Sequence, residues 1–568
     1  MPVLDGSSPL DELRAVVLGA TEELSGRDGP DAGRSNGGGR DGRQPITLER
    51  PPRRDFGDYS TNAALLLAPG LGAPPREVAE RLGEALSTRL GSRLARYEVA
   101  GPGFLNLFLA DGWLIGALAD VLAAGATFGA GRAPEPERIL IEFVSANPTG
   151  PMHVGHARNA AYGDALARLL SYAGHDVERE FYVNDAGSQV AKLGESVLAL
   201  ARGETVPEDG YQGAYVEQLT PLVKDGSGDE REVGRAAVAV MVEQARASLE
   251  AFGVKPFDRW SYESEMHAGE PSMVEHALSI LEQQGRTYTS EGAIWLRTTD
   301  YGDDKDRVLI RSSGEHTYFA SDIAYHQDKR DRGFERQIDV WGADHHGYVV
   351  RMKAAFQALG GDPARLELLI MQLVHLMRGG TRAQMSKRSG EFVTLDELLD
   401  EIGADAARWF LLARSHDTTV DLDLDLAREH SSENPVYYVQ YAHARIASLL
   451  ARAGADRCAA ALEAVRRLGD EPLDGEPLSL HTSERDLIEQ LLAFPVEVQE
   501  AAERRAPHRI VAYVLELAQL FTAFYRDCRV LGAEQELVES FRIALSVASM
   551  RTIARCLDLL GVSAPEEM

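Results

Sequence analysis

Cysteine is scarce in this chain, with three among 568 residues. Cys458, Cys528 and Cys556 stand far apart and outside any CxxC spacing. That excludes a disulfide framework or a cysteine-built zinc site and leaves buried thiols. Positive charge is also short: 59 Lys and Arg against 88 Asp and Glu give a net charge of −29. No basic stripe marks a general nucleic-acid binder, and no DNA partner is expected. An enzyme that takes and releases one folded RNA can still use a local basic surface, while the acidic remainder discourages non-specific binding. No apolar run is long enough to span a bilayer, and no basic-then-apolar leader is present. A cytoplasmic protein without a membrane partner is therefore expected. Internal repeats and coiled-coil heptads are missing as well. The rest is ordinary for a globular protein, 44% hydrophobic and 26% charged, at a length that calls for several domains.

The most informative segment is Ser145-Ala146-Asn147-Pro148-Thr149-Gly150-Pro151-Met152-His153-Val154-Gly155-His156. It follows a strand-like run, Ile139 to Val144, and precedes a helix-like run, Ala157 to Ala173. A helix N-terminus after a polar turn offers unpaired N–H groups and partial positive charge, which suit a triphosphate. Gly150 and Gly155 allow close approach. His153 and His156, three apart, share one helical face and can donate to phosphate oxygens during displacement at phosphorus.

The segment resembles the HIGH signature of class I aminoacyl-tRNA synthetases, in the version of the arginyl-tRNA synthetase family. Gln384-Met385-Ser386-Lys387-Arg388-Ser389-Gly390 resembles the family's KMSKS signature, with Gln384 where the first lysine would stand. The resemblance implies ATP binding by Pro151, His153, Gly155, His156, Asn159, Met385, Ser386 and Lys387, with His153, His156 and Lys387 catalytic. Trp341-Gly342-Ala343-Asp344-His345-His346-Gly347 resembles the superfamily's ribose-binding turn, which adds Gly342 and Asp344. A metal site built on Asp344-His345-His346 is the competing reading, but no third ligand stands out and no dedicated metal site is expected. Thr317 to Tyr325 resembles the substrate-pocket helix. It implies that Tyr318 and Asp322 face arginine, with Glu142, Ser145, Asn147 and His156. A guanidinium calls for carboxylates that take it side-on. Asp322 is assigned to it, while Glu142 is left between the guanidinium and the α-amino group. Phe181-Tyr182-Val183-Asn184-Asp185-Ala186-Gly187-Ser188-Gln189, Phe252-Gly253-Val254, Phe257-Asp258 and Glu263-Ser264 also fit the family pattern.

Three regions are expected. Residues 1–115, with a Gly/Arg-rich insertion at 25–44, resemble the family's α+β N-terminal additional domain, which reaches the D-loop of tRNA. There Phe104 and Asn106 are candidate contacts. Residues 130–422 alternate strand-like and helix-like runs, a doubly wound parallel sheet of Rossmann-like (HUP) α/β type. Strands are expected at Arg138–Val144, Val177–Tyr182, Val308–Arg311 and Gln337–Trp341, with a helical insertion at about 200–289. Residues 423–568 are helical and resemble the DALR anticodon-binding domain; Tyr438, Tyr441 and His443 are candidate tRNA contacts there. The function implied is arginine activation with ATP and Mg²⁺ to an adenylate, then transfer to tRNA(Arg), by a monomer. Another synthetase of the same class and a non-catalytic tRNA-binding paralogue are the alternatives.

Overall fold

A computed structural model of the protein describes residues 8–26, 45–224, 226–382, 393–470 and 478–568. Ser8 caps α1 (Pro9–Ser25) by accepting from the Asp11 N–H while Asp11 accepts from the Ser8 N–H, and Leu10, Leu13, Val17 and Ala20 turn inward. Then follow β1 (Leu48–Glu49), β2 (Tyr59–Thr61), α2 (Ala63–Leu71), α3 (Pro75–Leu90), β3 (Leu94–Ala100) and β4 (Phe104–Leu109). The four strands form an antiparallel sheet in the order β1-β2-β4-β3. Asn106, on β4, is buried and does not face a partner RNA, contrary to expectation; Phe104 at the strand's start is 42% exposed.

The helix α4 (Asp111–Ala124) leads to β5 (Arg138–Glu142), α5 (Val154–Ala173), β6 (Asp176–Val183) and α6 (Ser188–Ala201). Next come α7 (Ala214–Leu219), α8 (Glu230–Ala251), β7 (Arg259–Tyr262), α9 (Glu263–Met266), α10 (Met273–Gln283), β8 (Thr287–Ser290), β9 (Ala293–Leu296) and β10 (Arg307–Ile310). The chain continues through α11 (Tyr318–Asp331), β11 (Arg336–Gly342), α12 (Val349–Ala358) and β12 (Leu366–Met371). The main sheet runs β12-β11-β5-β6-β7, every pair parallel. The chain therefore builds outward from β5 in both directions, and the carboxyl ends of β5 and β11 form the switch point where such sheets bind ligands.

Two expectations need correction. The strand expected at Val308–Arg311 is β10, and it belongs to a separate antiparallel sheet, β10-β9-β8. The stretch 200–289 is not only helical, because β7 within it completes one edge of the parallel sheet.

Beyond the sheet lie β13 (Val374–Arg378), β14 (Thr381–Arg382), α13 (Leu395–Leu412, interrupted at Gly403) and β15 (Val420–Asp423). Only helices follow: α14 (Leu424–Arg428), α15 (Pro435–Ala453), α16 (Ala455–Asp470), α17 (Thr482–Glu503), α18 (His508–Asp527) and α19 (Glu536–Leu560). Leu517, Phe521 and Phe524 form a buried stripe along α18.

The pivot of the molecule is α5, buried on most sides between the sheet and α13, α17 and α19. At Gly163 a side chain is impossible, since a Cβ there would lie 2.2 Å from Phe143 Cγ. At the next residue, Asp164 accepts from Arg408 of α13 at 2.6 Å, and Arg408 also donates to the Leu560 carbonyl at 2.8 Å. The helical region is thus tied to the helix that carries the signature. Among the described residues no helix is long and apolar enough to cross a membrane.

Candidate active site

Between β5 and α5 the chain makes a strained turn. Val144 and Ser145 have φ of 70° and 40°, a costly conformation for non-glycine residues that persists where surroundings enforce it. The enforcement is visible. The Val144 N–H donates to Asn159 Oδ1 at 2.7 Å, and Ser145 Oγ donates to Glu142 Oε1 at 2.7 Å. Asn159 Nδ2 in turn donates to the Val340 carbonyl at 2.8 Å. Asn159 was expected to contact ATP; instead it is buried with both amide ends used as a staple between β5 and β11.

His153 is the N-cap of α5. Its Nδ1 accepts from the Gly155 N–H at 3.1 Å, and His156 Nδ1 accepts from the His153 N–H at 3.3 Å. The rings stack with centroids 3.7 Å apart. With Nδ1 accepting in both rings, each neutral imidazole carries its proton on Nε2. Burial and then the neighbouring His153 push the His156 pKa down to about 3, and burial lowers that of His153 too. These groups are therefore donors, not charges.

Lys387, Met385 and Ser386 lie outside the described residues. The described chain resumes at Val393, whose carbonyl accepts from the Val154 N–H at 3.2 Å, and Leu395 N–H donates to the Met152 carbonyl at 2.8 Å. The backbone that follows the second signature is thus pinned to the first. Gly342, at the end of β11, leaves room for Asp344 Oδ1, which would lie 2.6 Å from a Cβ there. Asp344 is exposed, and so are Pro151, Gly155 and Asn147 at the same end of the sheet.

An acidic recess lies alongside. Asp322, in the second turn of α11, accepts from the Tyr348 hydroxyl, and Tyr318 at the helix start places its hydroxyl against Gly187. Glu263, buried at the start of α9, faces the same space. Burial and then Asp322 and Asp185 push its pKa up to about 7. Burial also raises Asp322, partly offset by Tyr348. Between them stands Tyr182, whose hydroxyl feels the carboxylates of Glu263, Asp322, Glu142 and Asp185. Among the described residues no Lys or Arg pairs with Asp322 or Glu263, and the basic side chains that act on Asp322 are His326 and His345.

The sequence leaves Glu142 between the guanidinium and the α-amino group. It sits on the central strand with Oε1 taking Ser145 and Oε2 taking Lys329 Nζ at 2.6 Å. Its charge is answered within the protein and is not free for a guanidinium. The second acid beside Asp322 is Glu263. The sequence offered its position but no role, because it follows a short strand without an apolar run.

The helical region presents an aromatic ladder. His430 and Tyr437 stack at 5.6 Å, Tyr437 and Tyr441 at 6.2 Å, and Arg445 lies over both Tyr441 and Tyr525. Tyr441 is 43% exposed, as a contact requires. His443 does not fit its expected role, being buried with Nδ1 on the Pro565 carbonyl, and Tyr438 is half-buried with its hydroxyl on Thr522.

A parallel sheet with two stacked histidines at its switch point defines a class I aminoacyl-tRNA synthetase fold, and comparison agrees. The family model for tRNA synthetases class I (R), catalytic domain, matches residues 117–208 and 223–447. Methionyl-tRNA synthetase of Mycobacterium tuberculosis shares the fold at 14% identity with a TM-score of 0.52, over 75% of this chain and 92% of that one. The models for the arginyl tRNA synthetase N terminal domain and the DALR anticodon binding domain match residues 16–109 and 439–568. Arginine–tRNA ligases of Syntrophotalea carbinolica and Bacillus subtilis are 46% and 43% identical over 92% of this chain and 95% and 94% of theirs. Thermus thermophilus arginyl-tRNA synthetase superposes with a TM-score of 0.72 at 25% identity, covering 98% of this chain and 100% of that one. The chain belongs to the arginyl-tRNA synthetase family.

Proposed function

We propose that the arginine–tRNA ligase reaction of this chain divides its work between the two sites just described. The adenylate forms when an arginine carboxylate oxygen attacks the α-phosphorus of ATP; a P–O bond forms to the acyl oxygen and the bond to pyrophosphate breaks. His153 and His156 donate through Nε2 to phosphate oxygens, and the α5 N-terminus adds the positive end of its dipole. Lys387, read from the sequence, follows the leaving pyrophosphate. Gly342 and Asp344 hold the ribose. The 2′-hydroxyl of the tRNA's terminal adenosine then attacks the acyl carbon, and AMP leaves. No cluster of three acidic, His or Cys side chains among the described residues can hold a metal. Mg²⁺ would sit on the nucleotide's phosphates and neutralise their charge.

In this reading the guanidinium enters the recess between Asp322 and Glu263, with Tyr318 at its mouth, while Ser145 and Asn147 hold the amino-acid head. The single observation that carries it is a pair of neighbouring carboxylates, buried Glu263 and half-buried Asp322, that no Lys or Arg among the described residues pairs. It makes arginine binding pH-dependent. The Glu263 pKa in the free enzyme is raised to about 7, and a bound guanidinium favours the carboxylate. Arginine therefore binds more weakly as the pH falls below 7, approaching tenfold per pH unit for one linked proton. Calorimetry of arginine binding at pH 6 and pH 8, in buffers of different ionisation enthalpy, should show proton release at pH 6. Equal affinity at both values, with no proton exchanged, would remove Glu263 from the pocket.

We assign residues 1–115 to the tRNA elbow, with Phe104 at the contact, residues 130–422 to chemistry, and residues 423–568 to the anticodon. The ladder Tyr437–Tyr441–Arg445 supports the last assignment, since exposed rings and guanidinium planes stack unpaired bases. Tyr441→Ala should raise the KM for tRNA roughly five- to tenfold, the loss of one stacked base at about 1–1.5 kcal/mol, and leave the KM for arginine unchanged. Steady-state charging with each substrate varied in turn checks this. The enzyme works as a cytoplasmic monomer, and its net charge of −29 opposes self-association.

A further inference from the structure

Beneath the recess lies a second set of charges that the reaction does not use. Lys329, fully buried on α11, donates to Glu142 Oε2 of β5 at 2.6 Å and to Asp339 Oδ1 of β11 at 2.9 Å. Asp339 Oδ2 lies 2.8 Å from His326 Nε2, while His326 Nδ1 lies 2.7 Å from the Asp322 carbonyl. His326 is thus held through both ring nitrogens between Asp339 and the backbone of α11, and Lys329 bridges the carboxylates of Glu142 and Asp339. The cluster closes on Ser145 of the strained turn through Glu142.

Tyr318, Asp322, Tyr325 and Lys329 follow one another at four, three and four residues and share one face of α11. The Lys329 ammonium also lies 4.2 Å from the centroid of the Tyr325 ring, and the Tyr325 hydroxyl donates to Glu180 of β6 at 2.8 Å. The helix that presents Asp322 is thereby gripped on three adjacent strands, all through charged or polar tips. Stability alone is a weak reason for such an arrangement, because a buried ion network rarely outperforms apolar packing of the same volume. What it supplies is a fixed rotation and height of α11 over the sheet.

We propose that Lys329 is a positioning residue for arginine recognition, bracing Glu142 and Asp339 so that Asp322 on α11 and the Ser145 turn on β5 stand at the spacing arginine requires. The inference rests on the reading of the recess as the arginine pocket. Displacement of a binding group by about 1 Å can cost up to a hundredfold, and the nucleotide groups on α5 do not hang from this cluster. In the full-length protein, Lys329→Met should raise the KM and the calorimetric Kd for arginine by between about ten- and a hundredfold. The KM for ATP should stay within about twofold, as expected for a group that acts on one substrate. Lys329→Arg, which can still bridge two carboxylates, should recover most of the arginine affinity. Equal rises for arginine and ATP would overturn the proposal, as would an unchanged arginine KM in a folded variant. Should Lys329→Met fail to fold, Asp339→Asn, which keeps the volume and removes one braced charge, decides the matter by the same split. Asp322→Asn separates the two levels. If it leaves arginine binding intact, the pocket reading falls; if it weakens binding while Lys329→Met does not, only the brace falls.

Discussion

Asp322→Asn should lower kcat/KM for arginine by roughly 10²- to 10³-fold, most of it in KM. The argument is electrostatic. No described Lys or Arg pairs with Asp322 or Glu263, and only the histidines His326 and His345 act on Asp322 as basic groups, so in the proposed reading the substrate guanidinium is the counter-charge. Asparagine keeps the shape and one acceptor but not the charge, and a guanidinium left under-paired in a desolvated site costs about 3–5 kcal/mol. Because the contact is made alike in ground and transition states, kcat at saturating arginine should change little. Glu263→Gln should cost less near neutral pH, since burial and the nearby acids keep that carboxyl partly protonated there, at about 7. A second readout separates function from folding. In the free enzyme the two acids repel, so Asp322→Asn should leave the melting temperature unchanged or raise it while arginine charging collapses. A fall in both together would mean that Asp322 serves the fold and not the substrate. Citrulline, the neutral counterpart of arginine, sharpens the test: the ratio of arginine to citrulline affinity should shrink in the variant.

The sequence made some of this legible and concealed the rest for physical reasons. The turn from β5 into α5 was readable because strand, polar turn and glycine-bearing helix start are all local features. So was α11, whose Tyr318 and Asp322 lie one helical turn apart. β7 escaped because Arg259-Trp260-Ser261-Tyr262 has no apolar run; its place in the sheet comes from pairing with β6, a contact made across 75 intervening residues between Val183 and Arg259 in the chain. β10 was recognised as a strand and put in the wrong sheet, since local pattern says nothing of partners. Asn106, Asn159 and His443 look like contact residues by type. Each is buried, and for Asn159 and His443 the structure shows why: their polar atoms hold backbone groups that would otherwise lack partners. Glu142 looked like a free acid because its answering cation, Lys329, lies 187 residues away. Buried polar residues with distant partners are the class that single-sequence reading confuses with sites.

The stacked histidines yield the second large effect. His156→Ala should lower kcat for adenylate formation on the order of 10²- to 10³-fold, the cost of removing one preorganised donor from a site of developing charge. The KM for arginine should stay nearly unchanged, because the arginine recess is built from α9 and α11 and not from this helix end. The protonation state decides how the residue works. Its Nδ1 is taken by the His153 N–H, and with a pKa near 3 the ring is neutral throughout the working range. A neutral donor does not attract the triphosphate from a distance; it acts only where an oxygen reaches its Nε2. Hence kcat should show no acid limb from His156 between pH 5 and 8. His156→Gln, whose amide nitrogen can approach the Nε2 position, should retain more activity than His156→Ala. If His156 were instead an imidazolium holding phosphate by charge, the alanine variant would raise the KM for ATP and make it less sensitive to salt. A kcat loss at constant ATP affinity and unchanged salt dependence therefore separates directed donation from charge attraction. It also explains the geometry at the helix start: His153 as N-cap fixes the tautomer of His156 through its own backbone, so the cap that begins the helix also aims the proton used in the reaction.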